Sequence, residues 1–408
     1  MTATQHEPAV MPFDFFAPPA APDLPEAPDL PEAPAPDRTW RLIGGTAWVY
    51  LADPEGPGLT RPVIMSDGFG NGPSDLDILH HALERGKFAL LTALRRRGHD
   101  VVLLGYRERS ASVLNNATTA IECIQRALVE RPGRHPLTVG GFGAGGLVTR
   151  YALARLEADG VDHRTATYFS YDSPHNGAWI PIGLQALAHA LKATPALSRQ
   201  VNSPAARQLL WRHLETVDGT PRQDPLRTEF LEALRRVGDW PRLPRLLAVA
   251  NGAGDGGGNG VKPGIDAVRA TSGRFDGTTL RTQAKGDEQV VARLKGLPSG
   301  HTVRTDGFPE LDGAPGGTLG TFGVAGDSLG ATGAVGIEPA AASVCFVPTI
   351  SAVAATGLDL GTDRDLYAPV DRLAPDAVAV DDFVYSSQNT GHAEITEELA
   401  TWLLDRLP

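Results

Sequence analysis

The stretch LTVGGFGAGGLVTRYAL, residues 137–153, decides how this chain is read. It opens as an apolar strand and closes as an amphipathic helix, and the turn between them is almost entirely glycine. Gly141, Gly143 and Gly146 spell G-x-G-x-x-G, the turn that cradles a dinucleotide pyrophosphate on a helix N-terminus. The same residues, taken as Gly141-Phe142-Gly143-Ala144-Gly145, match G-x-S-x-G, the sharp elbow that lifts a nucleophile into a site, with Gly143 standing where the serine belongs. The first reading makes an oxidoreductase, and the second a hydrolase without its nucleophile.

Outward from this turn, strands and helices alternate. Strand-like runs cover residues 46–51, 61–67, 100–106, 137–140 and 165–172, with helical stretches up to 94, over 116–130 and over 147–158 between them. Several strands are apolar throughout, which predicts a doubly wound, mostly parallel sheet covered on both faces. Residues 180–237 read as helices, and 242–252 restore a buried strand. Residues 256–336 are rich in Gly, Thr and Asp, a β-like excursion. Residues 343–350 look like a further strand, and an amphipathic helix closes the chain.

That order tests the two readings. A dinucleotide fold places its glycine fingerprint in the first strand-to-helix turn, with an acidic residue about 20 positions on to bind the ribose. Asp172 ends the next strand, but two strand-helix units already precede the turn, so the order is wrong for that fold.

The nucleophile-elbow reading predicts context, and the context is present. With its GGLVTRYA (residues 145–152), the chain resembles bacterial α/β-hydrolases of the lipase and esterase type. VIMSDGFGNG (63–72) is similar to that family's oxyanion loop, YDSPHNGA (171–178) to the segment after the strand following the elbow, and NGAGDG (251–256) falls where an acid loop belongs. FVPTISA (346–352) is similar to a late-strand motif, and NTGHAEIT (389–396) puts a histidine before the last helix. The resemblance spans about residues 61–407, least well over the glycine-rich insertion. It implies an α/β-hydrolase fold from residue 40 to 408, with a helical lid insertion at about 180–240 and a Gly-rich insertion at about 256–336.

The resemblance also assigns roles. Gly143 holds the nucleophile position, His392 is the general base and Asp255 its acid, with Asp359 and Asp382 as substitutes. Gly68, Phe69 and Ala144 form the oxyanion hole. His175 is expected to order its loop and Asp172 to cap or salt-bridge locally. Ser66, Ser170 and Ser173 lie near strand ends, where a serine bonded to backbone is the ordinary outcome.

Composition narrows the classes. At 408 residues the chain can bury a large core, and its net charge of −11, without long charge runs, offers nucleic acid nothing to hold. Its two cysteines leave room for a single bridge and form no zinc-like spacing. No apolar run reaches membrane-spanning length and no signal-peptide pattern opens the chain, so a soluble protein, cytoplasmic rather than secreted, is expected. Residues 1–39, with the tandem APDLPEAPDLPEAPAP, read as a disordered proline-rich leader able to meet a protein partner. No motif calls for a cofactor or metal. Three functions remain open: a carboxylic-ester hydrolase carrying a Ser→Gly change, a pseudoenzyme binding an apolar acyl or ester-type ligand, and a catalyst of elimination, cyclisation or lactone opening that uses His392 without a covalent intermediate.

Overall fold

The structure is a computed structural model that describes residues 31–296 and 300–408. Most of the expected leader therefore lies outside the described residues. From Ala33 onward the chain is tied down: the Ala33 N–H donates to Asp77, Tyr50 donates its hydroxyl to the Pro34 carbonyl, and the Leu51 N–H donates to Asp37.

Chain order begins with β1 (Arg38–Leu42), β2 (Gly45–Tyr50), β3 (Pro62–Ser66), α1 (Leu76–Glu84), α2 (Leu90–Arg96), β4 (Asp100–Tyr106), α3 (Val113–Glu130), β5 (Leu137–Phe142), α4 (Ala144–Ala158) and β6 (Thr165–Tyr171). A helical segment follows, α5 (Ile182–Ala190), α6 (Pro195–Val201), α7 (Pro204–Leu209) and α8 (Pro225–Arg236), and then β7 (Arg245–Ala253). The glycine-rich region forms β8 (Asp266–Ala270), β9 (Thr279–Arg281), β10 (Gln289–Leu294), β11 (His301–Thr305), β12 (Gly316–Leu319), α9 (Thr321–Gly330) and β13 (Val335–Ile337). The chain closes with β14 (Val344–Pro348), α10 (Thr349–Ala352), α11 (Asp363–Leu366), β15 (Asp382–Ser386) and α12 (Glu397–Leu404).

Eight strands form the central sheet in the order β1-β2-β4-β3-β5-β6-β7-β15. From β4 to β15 all neighbours are parallel, and β1 and β2 add an antiparallel edge. The two-residue period of a strand explains why the middle of β3 and of β4, Val63–Met65 and Val101–Leu104, is apolar on both faces. Ile64, Val102 and Leu104 join the core containing α3 and α4 residues such as Ile124 and Leu153, while Val63, Met65, Val101 and Leu103 face Leu83, Leu91 and Leu399 of α1, α2 and α12. Helices thus cover both faces, as expected. Side-chain caps fix helix starts on both faces, among them Ser112, which accepts from the Leu114 N–H, and Thr396, which accepts from the Leu399 N–H.

The insertions differ in character from their sequence reading. The glycine-rich region is an ordered antiparallel sheet, β11-β10-β9-β8-β13, backed by α9. All of α5 is buried, and Gly183 lies against the backbone of β10, so this part of the expected lid is an inner helix packed on the second sheet. Residues 343–350 do form a strand, β14, but it pairs with β12 in a two-stranded ribbon, and β15 completes the central sheet. Buried Asp312 ties the second sheet to the first unit, accepting from Trp179 Nε1 and the Gln283 N–H, each at 2.6 Å. Cys123 and Cys345 are free and buried, so the bridge left open by composition is not formed. Among the described residues, no helix is long and apolar enough to cross a membrane.

Candidate active site

The glycine turn follows β5, the central strand flanked by β3 and β6, and leads into α4. At the turn Gly143 has φ +51° and ψ −120°, a conformation strained for any residue with a Cβ. It is a strand-to-helix elbow with no side chain at its tip. As the first residue of α4, Ala144 has no carbonyl a turn earlier in the helix to receive its N–H.

Facing the elbow is His392. Its Nε2 lies 2.7 Å from the point where a Cβ on Gly143 would sit. Its Nδ1 is 2.7 Å from Oδ2 of Asp172. The other Asp172 oxygen accepts the Asn251 N–H at 3.0 Å, and the Asp172 N–H donates to the Val249 carbonyl at 2.7 Å. Asp172 follows β6 directly, with φ +49°, and is fully buried. A buried carboxylate fixed in this way selects the imidazole tautomer that carries its proton on Nδ1 and leaves the Nε2 lone pair toward the elbow.

The histidine loop is held by the ribbon. The His392 N–H donates to the Thr318 carbonyl at 2.8 Å, and the Thr318 N–H donates to the Thr390 carbonyl at 2.9 Å. Gly317 lies so close beneath the acid that an added Cβ would fall 1.9 Å from Asp172 Oδ2. Phe346, on β14, packs edge-on against the imidazole with ring centroids 4.8 Å apart.

The expected acid is therefore corrected. Asp255 is exposed and accepts the N–H of Gly257 within its own turn. Asp359 likewise accepts from Gly361, and Asp382, at the start of β15, pairs with Arg245 and Arg406. None of the three is bonded to His392. The partner is Asp172, which the sequence reading gave only a local role, and which the dinucleotide reading would have placed at a ribose. The signal was its place at the C-terminal end of the strand beside β5, the end from which the elbow projects.

The oxyanion loop is also corrected at one residue. The Gly68 N–H donates to Oδ1 of Asp67 at 2.7 Å, so it is engaged by its neighbour's side chain. Oδ2 of the same carboxyl accepts the Ser74 hydroxyl at 2.6 Å, with Arg109 3.8 Å away. Burial pushes the Asp67 carboxyl above its ordinary range, and Arg109 opposes this. Asp67, Gly68, Phe69, Ala144 and His392 all border one cavity of about 160 Å³. The rest of its wall is apolar, including Leu79, Leu83, Phe142, Leu209 and Phe346.

The alternative nucleophiles are engaged or enclosed. Ser66 bonds the Tyr106 hydroxyl at 2.6 Å. Ser170 bonds His175 Nε2 at 2.9 Å, and burial beside Arg150 holds His175 far below its ordinary pKa. Ser173 is fully buried, its hydroxyl without a hydrogen-bond partner. Among the described residues, no cluster of three or more His, Cys, Asp or Glu side chains is arranged to hold a metal ion.

No family model matches this chain, and no curated protein matches it. Among solved structures, the chain is similar to the mature form of Bacillus licheniformis lipase BlEst2, at 12% identity over 51% of this chain and 73% of that one, with a TM-score of 0.31. It is similar to a Mycobacterium tuberculosis puromycin-hydrolyzing peptidase at 19% identity and TM-score 0.31, the match spanning 52% of this chain and only 30% of that one. A Pyrobaculum calidifontis esterase matches at 13% identity and TM-score 0.33, over 52% of this chain and 65% of that one.

Proposed function

We propose that this protein is an α/β-hydrolase of the carboxylic-ester type whose elbow carries glycine in place of the nucleophile. One observation carries the reading: a histidine oriented by a buried carboxylate presents Nε2 to the tip of a strained strand-to-helix elbow. That is the geometry in which an oxygen on residue 143 would lose its proton to Nε2 as it attacks an acyl carbon. Asp172 would stabilise the imidazolium, and the Ala144 N–H, with Phe69 beside it, would receive the oxyanion.

Without that oxygen no acyl-enzyme forms. A water molecule can still surrender a proton to His392 while its oxygen adds to the acyl carbon, and His392 returns the proton to the departing alkoxide. Triad knockouts retain roughly 10³ to 10⁴ over the reaction in water from binding and the oxyanion hole. The protein is thus a weak hydrolase that binds a small apolar acyl or ester-type ligand.

A second reading has an observation of its own. The 2.7 Å gap between Nε2 and the Cβ position is shorter than real Cβ contacts, so the imidazole has settled closer than a serine permits. This favours a site adapted to glycine, serving binding or non-covalent catalysis. The Gly143→Ser protein separates the two: labelling by a fluorophosphonate probe and ester turnover support the hydrolase reading, and a folded, inert, unlabelled protein supports the second.

A further inference from the structure

The cavity beside Gly143 has a definite size and lining, and both bear on which ligand it takes. Its volume is about 160 Å³. A dry cavity of about 150 Å³ walled by Leu, Ile and Phe accommodates benzene, a six-carbon guest. The apolar wall is set by parts that cannot easily retreat: Leu79 and Leu83 on α1, Phe142 at the end of β5, Leu209 at the end of α7 and Phe346 on β14, all buried. Ala82, on the same helix, is exposed and borders the cavity at its solvent side.

The polar groups are as telling. Among the described residues, the one titratable side chain on the wall apart from His392 is Asp67, whose two oxygens are already occupied by Gly68 and Ser74. No Lys or Arg among the described residues lines the cavity, so a carboxylate or phosphate on the ligand's buried end would meet apolar surface and a carboxyl group, and desolvation would oppose its entry.

We propose that the pocket selects uncharged esters with a compact acyl group of roughly five to eight non-hydrogen atoms, such as butanoyl to hexanoyl or benzoyl. The ester class rests on the reading given above, whereas the size limit rests on the cavity. Carbon atoms beyond the limit stay in water and contribute no affinity. Long-chain lipids are then poor ligands despite their larger apolar surface.

The glycine protein, whose residual hydrolysis is slow on the time of a titration, allows the limit to be measured as binding. Titration calorimetry with ethyl acetate, butanoate, hexanoate, octanoate and decanoate should show affinity rising about fourfold per methylene and levelling off near hexanoate. Leu83→Ala should move the break toward octanoate, and Ala82→Trp, at an exposed position that folding tolerates, toward acetate. Ethyl hydrogen succinate, with a charged acyl end, should bind at least tenfold more weakly than ethyl butanoate. Affinity that climbs unbroken to decanoate, shows no dependence on chain length, or fails to respond to either variant overturns the size limit. The chain-length profile of Gly143→Ser hydrolysis is a separate readout: an inert serine protein with the binding break intact removes the hydrolase reading and leaves the pocket assignment standing.

Discussion

His392 and Gly143 are in near contact: Nε2 of the histidine lies 2.7 Å from where a side chain on the glycine would begin. The ring is not free to swing away, because Asp172 holds Nδ1 and Phe346 abuts its face. A serine at 143 requires the ring to withdraw by a few tenths of an ångström, and it must also adopt φ near +51°. Both Gly143→Ser and Gly143→Ala should therefore lose about 1–3 kcal/mol of stability by urea unfolding. Only the serine protein should gain probe labelling. Equal stability of the three proteins would show that the elbow is not strained.

Asp172 is the carboxylate bonded to His392, so on the proposed function its removal should matter where that of the other aspartates does not. In the Gly143→Ser background, Asp172→Asn should cost on the order of 10⁴ in turnover through the wrong imidazole tautomer. Asp255→Asn, Asp359→Asn and Asp382→Asn should change turnover less than about twofold, the exposed or half-exposed pairs they make being worth about 1 kcal/mol or less. A large loss with Asp255→Asn would return the acid to the loop after β7.

Gly317 supports the acid from below by having no side chain. Gly317→Ala would drive a methyl into Asp172 Oδ2, at 1.9 Å before relaxation, and separate the carboxylate from His392. The downfield proton resonance of a carboxylate-bonded Nδ1–H, measured on the glycine-143 protein, should vanish in this variant and persist in Gly336→Ala, where the nearest atom to the new methyl is 3.9 Å away. A retained resonance in Gly317→Ala would show that β12 yields instead.

Asp312 makes stability depend on pH. Burial raises its pKa from 3.8 to about 6, against the lowering effect of bonds from Trp179 and the Gln283 N–H. The folded protein then holds a proton that the unfolded chain has released, so this contribution to stability is full below about pH 3.8 and is lost as pH rises through about 6. At roughly 1.4 kcal/mol per pKa unit the loss is about 3 kcal/mol. Asp312→Asn cannot titrate, and its loss of the Gln283 bond is a constant offset. The wild type should weaken relative to this variant between pH 4 and 7, and a pH-independent difference would refute the assignment.

The central sheet was legible because strands buried on both faces are apolar over most of their length, as PVIMS and DVVLLGY are apart from Ser66 and Asp100. The elbow was legible because its glycines punctuate a strand-to-helix passage. β15 was not, since DFVYS is half-exposed along most of its length and mixes polar with aromatic residues. The glycine-rich region concealed its sheet for a related reason: its strands are short, and residues such as Arg269 and Arg293 interrupt their apolar runs on the outer face. His392 was found from its place before the final helix. Asp172 was missed because an acid's partner depends on which strand ends lie side by side, and that adjacency is not written in local sequence. The engagement of Gly68 was hidden likewise, since it rests on the side chain of the preceding residue turning back on its own loop.

The ribbon strand β12 gives the site a particular assembly history. His392 and Asp172 are 220 positions apart in sequence, and the segment that joins them, Gly317 and Thr318, comes from a third remote region. Such a constellation has no local precursor: the elbow and the histidine loop cannot meet until the intervening strands have been laid down. Loop-closure entropy must be overcome before contacts over these distances form, which makes them slow relative to local helix formation. A refolding chain should therefore regain its helices well before it regains the hydrogen bond between His392 and Asp172, and ligand binding should return on the slower of those two clocks.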